Sequence, residues 1–442
     1  MMERIKSWTL SVLVAISVIL TWQLWTFQPN YAFLDESDYL PSDIEMGEEL
    51  SIEDVIWPDQ IVFRNGARQT GLDGTQRLFS RFYNDFLDSR FENITLNQDF
   101  EAGELYEGDH AAELIFPTPI PGEVLNDMMN FEDDTPYLSI DSVDRIVLID
   151  EGGDSENLQV KFVSYEDPVV LEGETNFSMS DFRDLYIHQM DEFSPVFSHE
   201  LEDNSVIPKT IYLPEETVTY NTLSDTSSEM NYNDFLTLLF NDSDYVKQYR
   251  QDNREASFTD GNRMMSLEDN GDYLNYVNPI YSENVQDSQN HVVETTFDFI
   301  NSRGGWTDTY RLYDWQRSSL EESAVYRMIV SGLPVFESRG RDLASINVSR
   351  TGGQVSQFSR PLFQLDDSPI DTSGSIELAS GEQVLEFAEE QFDPEQIENI
   401  RVGYKMEKTE SLVIQFEPSW YVKYDGSWYP IEPDGTTETK EG

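Results

Sequence analysis

The side chains that most often carry chemistry are few here, or badly spaced. Four histidines occur, His110, His188, His199 and His291. None falls into H-x-x-x-H or H-E-x-x-H, so no helical pair of imidazoles is set out for zinc. Cysteine is absent, which removes thiolate catalysis, Cys-held metals and a disulfide framework. Neither a G-x-S-x-G elbow nor a G-x-x-x-x-G-K-[ST] loop is present, so no esterase nucleophile or P-loop is encoded. Glu268-Asp269-Asn270-Gly271-Asp272 has the acids of a calcium loop but not its full spacing or closing Glu. It reads as a turn between strands. The sequence therefore implies no metal and no cofactor.

Carboxylates are the one reactive group in excess. The chain has 442 residues, with 85 Asp+Glu against 28 Lys+Arg and a net charge of -57. Against that background a paired general acid and base, as a glycosidase needs, cannot be singled out. A carboxylate-dependent wall hydrolase thus stays open as an alternative. The charge excludes a broad nucleic-acid surface, which requires clustered Lys and Arg. It also argues against lying flat on anionic lipid. Only eight residues are Lys. Such a halophilic, acidic composition suits concentrated salt, where screening confines repulsion to a few ångström.

One window departs from this. Residues 301–360 hold eight arginines, Arg303, Arg311, Arg317, Arg327, Arg339, Arg341, Arg350 and Arg360, against six acids. Arg suits bidentate pairing with carboxylates at interfaces. The window reads either as a docking face for an acidic partner or as an internal interface to an acidic neighbouring domain. The internal reading is the plainer one.

Elements must position these groups, and the first is an anchor. No charge occurs from Ser7 to Leu34, and Trp8 to Phe27 is about the 20 residues a helix needs to span a bilayer. Arg4 and Lys6 precede it and acids begin at Asp35. The positive flank places the N-terminus in the cytoplasm and the bulk of the chain outside the cell membrane, single-pass. Trp8, Trp22 and Trp25 read as interface anchors. Bulky residues follow the apolar run, where a cleaved signal peptide would have small ones. Ser7, Ser11, Ala15, Ser17 and Thr21 supply small residues along the helix, a candidate packing face against other membrane helices.

With 38% hydrophobic and 13% aromatic residues, the remainder is a folded ectodomain rather than a disordered tail. Acids without a base over residues 35–54 read as a solvated tether. Helical spacing marks 75–90, 122–130, 231–241, 286–302 and 381–392. Strand-like runs follow the last three in each case, and Asp425-Gly426 signals a hairpin. Helix followed by antiparallel meander, repeated, implies an α+β fold with helices on sheet faces. The expected organisation is a cytoplasmic N-terminus at 1–7, a transmembrane anchor at 8–28 and an acidic tether at 29–55. A first ectodomain covers 56–200, a second α+β domain 201–283, a third 284–432, and a tail 433–442.

Certain strings resemble a known family. Leu20-Thr21-Trp22-Gln23-Leu24-Trp25-Thr26-Phe27-Gln28-Pro29-Asn30-Tyr31 resembles the membrane exit of the YycH (WalH) family. Thr259-Asp260-Gly261-Asn262-Arg263 and Tyr276-Val277-Asn278-Pro279 add to the likeness. So do Phe299-Ile300-Asn301, Gly304-Gly305-Trp306-Thr307-Asp308, Tyr326-Arg327-Met328 and Gly332-Leu333-Pro334-Val335-Phe336. The resemblance implies an accessory regulator of the WalK–WalR (YycG–YycF) two-component system, and so signal transduction to cell-wall metabolism. It implies no enzymatic activity, the sensor histidine kinase WalK (YycG) as partner, and a YycI-like single-pass protein beside it. Contact would run through membrane helices, and pairing with a second copy is also open. The extreme acidity departs from the family pattern. A salt-adapted ectodomain that binds an envelope ligand is the remaining alternative.

Overall fold

In the computed structural model the chain divides into two compact units, Met1–Asp43 and Ile44–Gly442. The described residues are 46–440, apart from 98–104, 133–139, 153–156, 166–168, 202–206, 251–253, 280–289, 319–320, 338–341, 367–370, 409–411 and 434. The expected anchor, its small-residue face and its tryptophans lie outside the described residues. Among the described residues no helix is long and apolar enough to cross a membrane.

The fold is α+β, dominated by two large sheets. The first runs in the order 210–214, 194–200, 68–73, 60–65, 110–121, 142–150, 158–163, 170–175, 90–97 and 130–131. Its main helix, Arg77–Leu87, turns Phe79, Phe82, Tyr83 and Phe86 to one face, the period of an amphipathic helix. All four are fully buried, and Phe82 meets Phe63 of the sheet edge-to-face at 5.4 Å. Each such ring stabilises the fold by roughly 1.5–3 kcal/mol.

The second sheet starts with a meander of 247–250, 256–259, 264–268 and 273–277. It continues through 354–361, 345–351 and 322–330, the last also pairing 310–317. The helix–meander units expected from sequence are therefore joined edge to edge, because Tyr273–Val277 pairs with Gln357–Pro361. A parallel contact between Leu333–Glu337 and Ile397–Lys408 carries the sheet into the last meander. Beyond it lie 413–424, 218–229, 371–378 and 437–440. The three expected helices in this half are Tyr232–Leu239, Val292–Ser302 and Gly381–Gln391. Val292–Ser302 buries Val292, Val293, Thr296, Phe297 and Ile300. Its N-cap is His291, whose Nδ1 accepts the Val293 N–H at 3.2 Å. Gly304 and Gly305, with φ of +103° and +67°, end it.

One expectation is corrected. The acidic tether does not stay solvated to residue 55, because its last ten residues belong to the fold. Ile52–Val55 is a short helix behind a Ser51–Asp54 capping box, and Val55 and Ile56 are buried. The acids sit on the outer side while the apolar residues between them enter the core. A charge count alone conceals that alternation.

Candidate functional site: a cleft between the sheets and a clamp on the leading segment

The two sheets enclose a cleft of about 1040 Å³. Arg145, Tyr165, Lys209 and Tyr212 line it from the half that holds the first sheet, and His291, Trp315, Arg401 and Lys423 from the half that holds the second. On the first side a buried polar network is centred on Glu113. Its Oε1 accepts from Arg145 Nη1 at 2.7 Å, and its Oε2 accepts from Tyr106 and Tyr212 hydroxyls at 2.7 and 2.6 Å. Burial pushes both phenols up, so they remain donors. Arg64 stacks on the Tyr106 ring at 3.8 Å and donates to the Tyr212 hydroxyl at 2.5 Å. Arg145 also donates to the Thr210 carbonyl. One carboxylate thus holds strands 60–65, 110–121, 142–150 and 210–214 in register.

On the second side His291 packs edge-on against Trp315 at 4.7 Å. The Trp315 indole N–H reaches across and donates to the Pro119 carbonyl at 2.6 Å. Burial, with Arg317 and Arg350 nearby, lowers the His291 imidazole to about 4. It is neutral at pH 7, as its capping role requires. Three carboxylates in the cleft are tied to cations: Asp59 pairs with Arg401, while Asp314 and Glu398 share Lys423 at 3.9 and 3.4 Å. Burial raises Asp314, and Asp73, Glu123, Asp141 and Glu395 also line the cleft, so no single acid–base pair for glycoside hydrolysis stands out.

The second feature is a clamp. Glu48 and Trp306 exchange both backbone hydrogen bonds, each at 2.9 Å. Asn301 Oδ1 accepts from the Leu50 N–H at 3.2 Å and from the Trp306 indole at 2.7 Å, while its Nδ2 donates to the Leu50 carbonyl at 3.0 Å. Backbones approach so closely that a Cβ on Gly47 would collide with the Trp306 carbonyl. Trp306 is buried against Tyr326 and Phe297. Residues 46–50 are thus fixed to the end of helix Val292–Ser302.

The arginine window is mostly internal. Arg360 is fully buried and donates to the Gly305 carbonyl and Thr307 hydroxyl, both at 3.0 Å, bracing the clamp from behind. Arg350, also buried, pairs with Glu322 at 2.6 Å and donates to the Asn290 carbonyl and Thr295 hydroxyl. Arg327 donates to the Val335 carbonyl, pairs with Asp342 at 2.8 Å and lies over the Phe336 ring. Arg311 lies 4.5 Å over the Trp57 ring, and burial lowers it to about 10. Arg303 stacks on Phe299, and exposed Arg317 pairs with Glu322 at 2.9 Å. Arg339 and Arg341 lie outside the described residues. The structure thus brings Arg350 and Arg317 together on Glu322 but assembles no shared outward face from Arg327, Arg350 and Arg360.

The histidines stay apart in function. His110 contacts Asp150 at 3.2 Å, His188 contacts Asp184 at 3.2 Å, and His199 faces Glu389 at 3.7 Å. Among the described residues no three His, Asp or Glu side chains converge on a metal-sized site. The Glu268–Asp272 segment is a turn, with φ of +52°, +58° and +88° at Asp269, Asn270 and Gly271. Sequence reasoning missed the clamp and the Glu113 network. The Met46-Gly47 break in the acidic run and the Gly304-Gly305 pair were the available signals for the clamp. No local pattern marks Glu113.

Fold and site define an α+β protein of two mainly antiparallel sheets around a polar cleft, with its leading segment clamped to its far half. Family models described as the YycH protein N-terminal and C-terminal domains match residues 3–193 and 208–438. The chain belongs to the YycH family. A curated relative from Bacillus subtilis (strain 168), the two-component system WalR/WalK regulatory protein YycH, is 22% identical over 98% of this chain and 97% of that protein. The crystal structure of YycH from Bacillus subtilis superposes with a TM-score of 0.70 at 17% identity, covering 88% of this chain and 99% of that one. That likeness shows the fold.

Proposed function

We propose that this protein is a non-enzymatic regulator of a WalR/WalK-type two-component system. It is held in the cell membrane by the helix at 8–28, with residues 56–432 outside. It modulates the sensor kinase WalK, together with a YycI-like partner, through contacts between membrane helices, and so adjusts cell-wall metabolism. Family membership and the curated relative's name support the regulatory role. The clamp is the observation that carries the mechanism. Residues 46–50 follow the anchor closely, and they are bonded to Asn301 and Trp306 rather than left free. In this reading a change around Asn301 and Trp306 moves residues 46–50 with it. Any signal must bind the two states of the complex unequally, or it shifts nothing.

The test is response-regulator phosphorylation in a deletion strain complemented with full chain, residues 1–34, or the Asn301→Ala/Gly305→Val variant. An unclamped chain should behave like the anchor alone. Full-chain behaviour from that variant rejects the clamp as the link. In a membrane two-hybrid assay, Ser11→Leu/Ala15→Leu should weaken association with the kinase, and unchanged association removes that face. A second reading, an envelope ligand sensor, draws on the cleft, whose volume suits a small molecule.

A further inference from the structure

The outer edge of the second sheet does not resemble the rest of this acidic surface. Its last strand, Lys247–Arg250, is exposed at all four positions and, among the described residues, pairs on one side only, with Ala256–Thr259. Its free side presents unpaired backbone donors and acceptors, the usual template for an added strand. Tyr245 and Tyr249 stand 78% and 57% exposed there, the two most exposed large apolar side chains described. No acid occurs from Tyr245 to Arg250, in a chain with three acids per base. Lys247 and Arg250 make no ion pair among the described residues, whereas most described cations do.

We propose that this edge is a docking site for an extended acidic strand of a partner protein, added to the sheet by backbone pairing. Alternation assigns the contacts. Gln248 and Arg250 face a hollow of about 510 Å³ bounded by Tyr232, Leu267 and the Arg254–Glu229 pair, which takes the partner's side chains. Lys247 and Tyr249 lie on the opposite face. Charge complementarity selects the occupant. A second copy would bring only further Lys247 and Arg250 side chains to this edge, with no acid from residues 245–250 to meet them. An acidic strand meets a cation at both positions. Lysine also blunts edges against aggregation, but an acid would do so equally and is the residue this chain has in excess.

The test uses full-length protein in nanodiscs and a preorganised hairpin peptide whose outer strand carries Glu at two positions three residues apart, with Val between them, so that one Glu meets Lys247 and the other Arg250. A Lys-for-Glu hairpin is the control, and affinity is measured at low and at molar salt. The acidic hairpin should bind, the basic one should not, and Lys247→Glu/Arg250→Glu should weaken acidic binding at least about tenfold, or about 1.4 kcal/mol. N-methylation of alternate backbone amides on the outer strand should abolish binding. Equal binding of acidic and basic hairpins, unchanged binding by the reversed edge, or no binding of the acidic hairpin would each overturn the proposal.

Discussion

Glu113 is enclosed by four side chains, three on different strands and Tyr106 from the turn before its own strand, two cationic and two phenolic. Removing one partner of such a buried pair leaves an uncompensated charge. Glu113→Ala should therefore lower stability by about 3–5 kcal/mol, read as a fall in thermal midpoint, whereas Arg317→Ala on the exposed pair should cost under about 1 kcal/mol. His291 supplies a pH-dependent counterpart. Its folded imidazole titrates near 4 against an ordinary 6.5, so below about 6.5 the unfolded chain binds a proton the fold does not. Stability from this residue is present above 6.5 and lost as pH falls through 4, by about 3 kcal/mol in all. His291→Asn keeps a capping oxygen. The stability difference between wild type and this variant should shrink across that window, and a constant difference would exclude the effect. At this scale the sequence is least informative. Arg350 and Arg360 stand out in it as a local excess of arginine, yet only the fold shows that their guanidiniums point inward to carbonyls and hydroxyls.

At the level of elements, the helices were legible because their apolar faces repeat. Arg77–Leu87, Tyr232–Leu239, Val292–Ser302 and Gly381–Gln391 all fall within their expected spans. The Asp425-Gly426 hairpin was legible too, and its φ values of +48° and +71° are those of a type I′ turn. Strand Val218–Glu229 was not. Its VTYNTLSDTSSE sequence reads as a polar loop, but it lies between 371–378 and 413–424 in the sheet interior, with Leu223, Asp225 and Ser227 buried. Backbone pairing on both sides, not side-chain pattern, makes it a strand. The contact between Gly74 and Gly332 was equally hidden, being a relation between distant turns. A Cβ on Gly332 would overlap the Gly74 backbone, at a φ of +87°. Gly332→Ala should cost about 2–4 kcal/mol from left-handed strain plus overpacking, and limited proteolysis should then cut between the two halves. An unshifted midpoint would show that the turns part freely.

For the whole molecule, the net charge of -57 works against compaction through self-repulsion. Screening shortens from about 10 Å at 0.1 M salt to about 3 Å at 1 M. The thermal midpoint should therefore rise steeply with potassium chloride and level off above about 1 M, and a midpoint independent of salt would contradict an environmental origin for the charge. Sheet order was not legible at this scale. The expected 56–200, 201–283 and 284–432 units follow from element order, while edge pairing between 273–277 and 354–361 depends on register across a long insertion.

The clamp also sets an order of events. Leu50 and Asn301 are 251 positions apart, so the lock on the leading segment cannot close until the chain has been made through the helix at 292–302. A chain truncated or stalled before that point has residues 46–50 without their partners. Under the proposed function, regulatory competence would then be a late milestone of synthesis, and an unfinished molecule would be distinguishable from a finished one.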